Sequence, residues 1–331
     1  MATIRFKDPS PYSTARPPAP GTDFLYTRFQ NDVSLKSEDT GNDKIINIAL
    51  FGFGRAGSIH LRNLVCNPRV LLLYIVDDLE KKWEDVRRYW KLDDVKFLAS
   101  KDKDRVFKDP RRFDPSYSHI RERVRSGEVG HVQIIKICSR SSPLASLEYL
   151  KSSGGIFHDS VVHDIDVMCW ILGEYPTRVA ASAQAHIPEI AAMGDHDTVA
   201  IIFNFPSGTL GVLDWCRYSP YGYDQRLEVF GPRGIISCAN ERPMPGVTSQ
   251  TSGLQGSVTV PNFYSFPARY NTAYANEMEH FLDVLQGKAK MATTGSEAMA
   301  VIKIATACAD SAKTGHFVDI EWGPEYEQTK L

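Results

Sequence analysis

The sequence predicts an α/β protein: a truncated Rossmann-type dinucleotide-binding domain, then an α+β domain with a large open, mostly antiparallel sheet. Two observations predict this fold class. Residues 45–76 have the order strand, glycine-rich turn, helix and strand, which begins a dinucleotide-binding fold. Beyond residue 129, short apolar segments alternate with turn residues, as in a sheet of mostly antiparallel strands. The 331 residues are enough for two domains.

The composition is typical of a globular protein, with 43% hydrophobic and 24% charged residues. A formal net charge of −2 argues against nucleic acid and anionic membranes as partners. No apolar run approaches the roughly 20 residues that span a bilayer, and the N-terminus lacks a secretory signal. We therefore expect a cytoplasmic protein. The six cysteines contain no CxxC pair, so we expect free thiols rather than disulfides or a metal site.

Residues 1–44 are predicted to be a tail or linker outside the folded domains. Five prolines lie within residues 9–20, and the polar stretch NDVSLKSEDTGNDK follows. Such a segment buries too little apolar surface to offset the entropy that ordering costs.

A phosphate-binding motif follows the first predicted strand, an apolar run at residues 45–51 that we expect to be buried on both faces. The turn GFGRAG has the GxGxxG pattern and opens a predicted helix that ends near residue 66. In this pattern Gly52 permits the tight turn, Gly54 lets the backbone approach a pyrophosphate, and Gly57 lets the helix lie close to the strand. The positive end of the helix dipole stabilises the phosphate charge.

An acidic residue completes the motif. The second predicted strand, residues 70–76, ends at Asp77, twenty residues after Gly57. A carboxylate there accepts hydrogen bonds from the adenosine ribose hydroxyls and repels a 2′-phosphate, so NAD is favoured over NADP. The alternative is a glycine-rich turn that binds no ligand. The predicted cofactor-binding residues are Gly52, Phe53, Gly54, Arg55, Gly57 and Asp77.

The dinucleotide-binding domain ends after three predicted strands. A helix is predicted at residues 79–90 and the third strand at 95–99, before a polar segment at 101–109. A doubly wound domain needs about six strands, so we expect that a block is missing between Pro110 and Arg111. In strand order 3-2-1, the first strand is then left with an open edge. We divide the chain into a tail (1–44), a partial Rossmann domain (45–110) and a substrate and oligomerisation domain (111–331).

A new helix is predicted after the arginine pair in RRFDP. Asp114 is its predicted N-cap, Pro115 lies in its first turn, and Gly127 ends it. The arginines could bind nucleic acid, but the interleaved acidic residues favour a solvated surface.

The remaining segments alternate between strands and turns, and two helices close the domain. A stretch rich in proline, glycine and serine, residues 242–255, is predicted to be a loop. The closing helices are expected at 274–286 and 295–314, the second announced by the capping-box spacing of Thr294 and Glu297. The predicted strands are 131–139, 178–186, 198–205, 209–215, 225–230 and 234–238.

The segment GGIFHDSVVHDID, residues 154–166, carries the candidate chemistry. An apolar stripe continues to Leu172 and predicts a helix that ends at Gly173. Asp159 and His163 are four residues apart and therefore neighbours on one helix face. A carboxylate that orients an imidazole forms an acid–base pair; the alternative is an ordinary pair on a solvated face. The segment lacks the HExxH pattern of zinc proteases.

Together, the glycine motif, the segment GGIFHDSVVHDID and the stretches RRFDPSY and YGYDQRLEVFG resemble the Gfo/Idh/MocA oxidoreductases, and among them the myo-inositol 2-dehydrogenases. The resemblance implies hydride transfer from a polyol or sugar CH–OH to NAD, with His163 as the base and Asp159 beside it at the nicotinamide end. It implies substrate binding by Tyr223 and by Arg112, with Arg111 as the alternative. An open sheet with one free face commonly buries that face against a partner, so we expect a homo-oligomer formed through this sheet. The cysteine and histidine spacings predict no bound metal.

One departure from the family bears on activity. Members carry a Glu-Lys-Pro motif whose lysine belongs to the catalytic site, and this sequence contains no such motif. The alternative function is therefore a catalytically inactive relative that acts as an assembly or binding partner.

Overall fold

The computed structural model describes residues 45–65, 67–77, 80–98, 110–244, 246–249, 258–323 and 326. The predicted tail at 1–44 and the polar segment at 101–109 lie outside these residues. From Asn47 onward, the described elements belong to one compact unit.

A three-stranded sheet opens the described chain, in the spatial order β1-β2-β3, with β2 and β3 parallel. The alternation of strand and helix confirms the predicted pattern of this region. The elements are β1 (Ile46–Phe51), α1 (Arg55–Val65), β2 (Val70–Val76), a 3-10 turn (Glu80–Lys82), α2 (Trp83–Trp90) and β3 (Lys96–Leu98). A small apolar core joins them, formed by Leu61, Ile75, Val86, Leu92 and Val95.

The expectation that β1 is buried on both faces is wrong. Its side chains alternate between half-buried and exposed, and Phe51 is 68% exposed. The reason is position: β1 lies at the edge of the described sheet, where only one of its faces packs on the small core.

A seven-stranded sheet forms the second part, in the spatial order β12-β5-β6-β7-β4-β8-β9. Among the strand pairs of this sheet within the described residues, only β4 with β7 is parallel, so the predicted mostly antiparallel sheet is confirmed. The strands are β4 (Ile134–Arg140), β5 (Arg178–Gln184), β6 (Thr198–Asn204), β7 (Leu210–Cys216), β8 (Asp224–Gly231), β9 (Gly234–Cys238) and, after two short strands named below, β12 (Val318–Asp319).

Helices pack on one face of this sheet and enclose the main core. A 3-10 turn (Pro110–Phe113) precedes the first of them. The helices are α3 (Pro115–Arg125), α4 (Leu147–Ser152), α5 (Val162–Leu172), α6 (Pro188–Ala192), α7 (Phe266–Arg269), α8 (Asn271–Leu285) and α9 (Gly295–Thr314). The core residues include Ile135, Ile165, Val199, Leu213 and Ile304.

The helix ends that were predicted from capping residues are confirmed at Asp114, Gly173 and Thr294. The Asp114 carboxylate accepts hydrogen bonds from the N–H groups of Ser116 and Tyr117 at 3.1 and 3.2 Å. Thr294 and Glu297 form the predicted capping box of α9. Gly173 ends α5 in the left-handed conformation, with φ of 80°.

Two short pairings were not predicted. The stretch 242–255 was expected to be a loop, but β10 (Thr248–Ser249) lies within it and pairs with β11 (Val258–Thr259) beyond its end. The loop prediction is therefore wrong for Thr248–Ser249. The strand β12 was also missed. Two-residue strands are too short to show an alternating pattern, so only their partners reveal them.

The outer face of the large sheet carries an apolar row. Ile134 pairs across the strands with Leu210 on one side and Phe230 on the other, and Phe230 pairs with Ile235. Leu210, Phe230 and Ile235 are exposed. These three exposed side chains and the half-buried Ile134 form an apolar row across four neighbouring strands, which is more than the scattered exposure that is normal on a surface.

Among the described residues, no helix is long and apolar enough to cross a membrane. In the same part of the chain, no three His, Cys, Asp or Glu side chains are grouped to hold a metal ion. The described cysteines, Cys138, Cys169, Cys216, Cys238 and Cys308, are free thiols.

The glycine turn provides a test of the fold. A Cβ on Gly57 would lie 2.0 Å from the carbonyl oxygen of Gly52, whereas a Cβ on Gly54 would meet no atom within 4 Å. We expect Gly57→Ala to lower the free energy of unfolding by about 1–3 kcal/mol, because backbone must move. The matched variant Gly54→Ala should change it by less than about 0.5 kcal/mol. Urea unfolding measures both, and equal effects would contradict this account.

Candidate functional site

The glycine turn, the start of α1 and Asp77 come together as the motif predicts. The Gly52 N–H donates to the Val76 carbonyl at 2.7 Å, and Gly52 has φ of +85°. The Phe53 N–H donates to the buried Asp77 carboxylate at 2.5 Å. The Trp83 indole N–H donates to the Asp77 carbonyl at 3.1 Å. Asp77 is therefore held at the turn by two elements.

A narrow cleft lies beside this turn. Its lining includes Phe53, Asp77, Lys82, Trp83 and Phe97. Trp83 and Phe97 form a tilted aromatic pair, with ring centroids 5.9 Å apart.

The candidate catalytic segment begins with a widened helical turn. Gly154 and Gly155 both have positive φ, 88° and 85°, and lead into a π-helical turn at Phe157–Val161, which continues as α5. Asp159 lies within the π-helical turn and His163 in the first turn of α5. π-Helical turns are rare and frequently occur at functional sites.

Both oxygens of the Asp159 carboxylate are engaged. The Tyr149 hydroxyl donates to Oδ1 at 2.5 Å, and Arg217 Nη1 donates to Oδ2 at 2.9 Å. The Ser160 hydroxyl lies 3.3 Å from Oδ2. Sequence reasoning missed both partners of Asp159. Tyr149 lies 10 residues before it and Arg217 lies 58 residues after it, so neither has a periodic spacing that would predict the contact.

The two histidines of the segment differ in position. His163 is half-buried at the start of α5. His158 is exposed, and its Nε2 lies 3.0 Å from the Thr306 hydroxyl on α9. Of the two histidines, His163 is therefore the more buried, and His158 lies on the protein surface.

Arg111 joins the predicted substrate tyrosine. Its Nη1 donates to the Asp164 carboxylate at 2.5 Å, and its Nη2 lies 3.5 Å from the Tyr223 hydroxyl. Arg111 also lies over the ring of Tyr270, 5.6 Å from its centroid. Arg111, the alternative in the sequence prediction, is therefore the arginine next to Tyr223.

Arg112 has other partners. Its Nε and Nη2 donate to both oxygens of Asp166 at 2.8 and 2.6 Å. Its Nη1 donates to the Ala292 carbonyl at 3.1 Å and lies 3.4 Å from Glu297. Burial by itself lowers the pKa of Arg112, but the hydrogen bonds and charges of Asp166 and Glu297 outweigh it and raise the pKa. All three nitrogens of Arg112 thus serve a buried ion network.

A cluster of tyrosines surrounds Arg111. The hydroxyls of Tyr117 and Tyr270 are 3.3 Å apart, and the rings of Tyr223 and Tyr270 meet edge to face at 6.1 Å. Burial raises the pKa of Tyr270 well above its usual value, so this phenol stays protonated. Arg269 also lies over the Tyr270 ring, 4.7 Å from its centroid, and pairs with Asp114 at 2.7 Å. Sequence reasoning missed Arg269 and Tyr270. It placed the start of the next helix at residue 274, so both residues lay outside any predicted element.

The sequence predicted that only an apolar stripe of α5 would be buried, but more of the helix is buried than that. Asp164 and Asp166 are buried along with most of the apolar residues of this helix. A sequence signal for the Arg111–Asp164 and Arg112–Asp166 pairs does exist. It is the presence of two acids in an apolar run together with two consecutive arginines elsewhere in the chain, because buried acids need cationic partners.

Comparison with known proteins identifies the second domain. Residues 117–237 match the family model described as the GFO/IDH/MocA C-terminal domain. The chain contains a Gfo/IDH/MocA C-terminal domain. Asp159, His163, Arg217 and Tyr223 lie inside the matched residues of this domain, whereas Arg111 and the glycine turn precede them.

This chain has relatives that carry dehydrogenase names. It is 36% identical over 202 residues to an inositol 2-dehydrogenase of Rhizobium meliloti strain 1021, covering 61% of this chain and 60% of the relative. It is 30% identical over 212 residues to the scyllo-inositol 2-dehydrogenase (NAD(+)) of Bacillus subtilis strain 168, covering 64% and 61%. The chain thus spans about 60% of the length of the curated relatives it matches.

A solved structure confirms the fold class. The myo-inositol dehydrogenase from Corynebacterium glutamicum ATCC 13032 superimposes with a TM-score of 0.74 at 27% identity. The superposition covers 84% of this chain and 99% of that chain. The α/β prediction, with its mostly antiparallel second sheet, is confirmed.

The roles of the two arginine networks can be tested by stability. We expect Arg112→Met to lower the free energy of unfolding by about 3–5 kcal/mol, because the buried Asp166 carboxylate loses the charge of Arg112 and the two hydrogen bonds that it donates. The matched control Arg123→Met removes an exposed pair with Glu128 and should cost less than about 1 kcal/mol. Urea unfolding of both variants measures the difference. A small effect of Arg112→Met would contradict a structural role for this arginine.

Proposed function

We propose that this chain is an NAD-dependent oxidoreductase of the inositol 2-dehydrogenase type, which acts on a CH–OH group of a polyol or sugar. The observation that carries the proposal is the position of Asp159 and His163. They lie on consecutive turns of one segment, inside the Gfo/IDH/MocA domain that the chain shares with relatives named as inositol 2-dehydrogenases. These relatives favour an enzyme over a non-catalytic assembly partner.

The residues at the glycine turn fit NAD. The close approach of Gly57 to Gly52 brings the start of α1 to the turn, and Gly54 leaves space where a side chain would otherwise stand. Backbone N–H groups at a helix N-terminus suit a pyrophosphate. The Asp77 carboxylate lies at this turn and would accept ribose hydroxyls while repelling a 2′-phosphate. Gly52, Phe53, Gly54, Arg55, Gly57 and Asp77 would hold the cofactor.

The other candidate residues bind the substrate or transfer its proton. NAD, when bound, supplies the hydride acceptor. His163 takes the proton from the substrate hydroxyl, and Asp159, on the preceding π-helical turn, is a fixed anion held by Tyr149 and Arg217. Tyr223 donates a hydrogen bond to another substrate hydroxyl. We assign the substrate arginine to Arg111 rather than Arg112, because Arg111 touches Tyr223 and Arg112 is fully engaged by Asp166, Ala292 and Glu297.

The same proposal keeps the division into a partial Rossmann domain at 45–110 and a substrate and oligomerisation domain at 111–331. It places the protein in the cytoplasm, where the free thiols of the described cysteines stay reduced. The Glu-Lys-Pro lysine of the family is absent from the sequence, so His163 is the one proton acceptor assigned here.

Turnover tests the proposal. NADH formation from myo-inositol or scyllo-inositol should be detectable with the wild-type chain. His163→Asn should lower kcat about 100-fold or more, because the general base is lost. The control His158→Asn changes the exposed histidine bonded to Thr306 and should leave kcat within about twofold. No NADH formation by the wild-type chain, or equal losses in both variants, would overturn the proposal.

The open sheet is the proposed surface for a homo-oligomer. The apolar row of Leu210, Ile134, Phe230 and Ile235 crosses its outer face. The neighbouring row contains Lys136 and Glu228, a pair with opposite charges 3.6 Å apart. Apolar residues beside balanced charges suit a second copy related by a twofold axis, in which like rows meet.

Sedimentation tests this surface. We expect the wild-type chain to be an oligomer and Phe230→Glu to dissociate it, because the substitution places a charge at the centre of the apolar row. The matched control Tyr89→Glu alters an exposed aromatic residue on α2 and should leave the oligomer intact. A monomeric wild-type chain would contradict the proposed interface.

A further inference from the structure

We propose that Arg217 is a positioning residue, which holds the Asp159 carboxylate in place for turnover. The inference rests on the proposed function and deepens it. It concerns a residue that sequence patterns did not single out and that lies 58 residues after Asp159.

The three nitrogens of the Arg217 side chain are all used. Nη1 donates to Asp159 at 2.9 Å, and Nη2 donates to Asp195 at 2.8 Å. Nε donates to the His196 carbonyl at 3.0 Å. The Arg217 backbone N–H donates to the Asp197 carbonyl at 2.8 Å. The guanidinium is therefore fixed in one orientation, immediately after the end of β7.

The second acid of this triad is also tied to the catalytic segment. The other oxygen of Asp195 accepts a hydrogen bond from the N–H of Ile156 at 3.0 Å. Ile156 is buried and directly precedes the π-helical turn that carries Asp159. The triad of Arg217, Asp159 and Asp195 thus fixes both the carboxylate and the backbone that presents it.

Exposure distinguishes this triad from a purely structural ion pair. The Arg217 side chain is 3% exposed, whereas the Asp159 and Asp195 side chains are 12% and 13% exposed. A groove reaches Asp195 of this triad, and its lining also includes Leu150, Gly155 and Met193. The guanidinium of Arg217 is buried, whereas the two carboxylates keep part of their surface exposed. This is the arrangement expected of an arginine that orients a catalytic carboxylate.

Arginine is required at this position by geometry. Its planar fork serves two carboxylates and a carbonyl at once from fixed directions, and a lysine ammonium cannot reproduce that set. A lysine at residue 217 retains the charge and loses the orientation. Loss of orientation at a catalytic group costs on the order of 100-fold in rate for a displacement of about 1 Å.

The experiment compares Arg217→Ala, Arg217→Lys and wild type in kcat, KM for the polyol and affinity for NADH. We expect kcat to fall about 100-fold in Arg217→Ala and about tenfold in Arg217→Lys. The affinity for NADH should stay within about twofold, because the glycine turn is separate from the triad. Guanidinium ion, at concentrations too low to unfold the chain, should restore part of the activity of Arg217→Ala. It should not restore activity to Asp159→Asn.

A matched control separates positioning from the loss of any ion pair. Arg178 also donates to both oxygens of one acid, Asp319, but on the surface. Arg178→Gln should leave kcat within about twofold.

The outcomes divide the two proposals. No turnover by the wild-type chain overturns the proposed function and the role of Arg217 with it. Wild-type turnover that Arg217→Ala retains, or that guanidinium does not restore in this variant, overturns the role of Arg217 alone. Loss of folding in both Arg217 variants would assign this residue to the core, and also overturns its positioning role.

Discussion

The burial of two acidic side chains on α5 is the constraint on which the second domain depends. Asp164 and Asp166 lie inside the core, where an unpaired carboxylate would cost several kcal/mol. Arg111 and Arg112 are consecutive residues of one short 3-10 turn and neutralise one acid each. The same turn leads into α3, so these two pairs join α5 to the start of the domain.

This pairing also determines which side chains are left for chemistry. Because Arg112 turns to Asp166 and Glu297, Arg111 alone of the pair reaches Tyr223. Because α5 is anchored by its buried acids, the π-helical turn before it is held at a fixed place at the edge of the core. The Arg112–Asp166 pair thus supports the candidate site from within the core, whereas Arg111 both pairs with Asp164 and lies next to Tyr223.

The small sheet is attached to the large domain by polar contacts. Arg69, just before β2, donates to Glu279 at 2.9 Å and to Asp283 at 2.7 Å, both on α8. These carboxylates are half exposed, so each pair contributes modestly. The His60 and Tyr274 rings meet edge to face at 5.5 Å and add an aromatic contact between α1 and α8.

The sequence by itself determined the elements whose signals are local. The glycine turn, the caps at Asp114 and Thr294, and most strands of the large sheet follow from spacing, turn residues and alternation, which act within a few residues. Only the tertiary structure decided which residues meet: Arg111 rather than Arg112 at Tyr223, and Arg217 at Asp159. The physical reason is that buried charges are satisfied by partners distant in the chain, and a single sequence carries no periodic signal for such contacts.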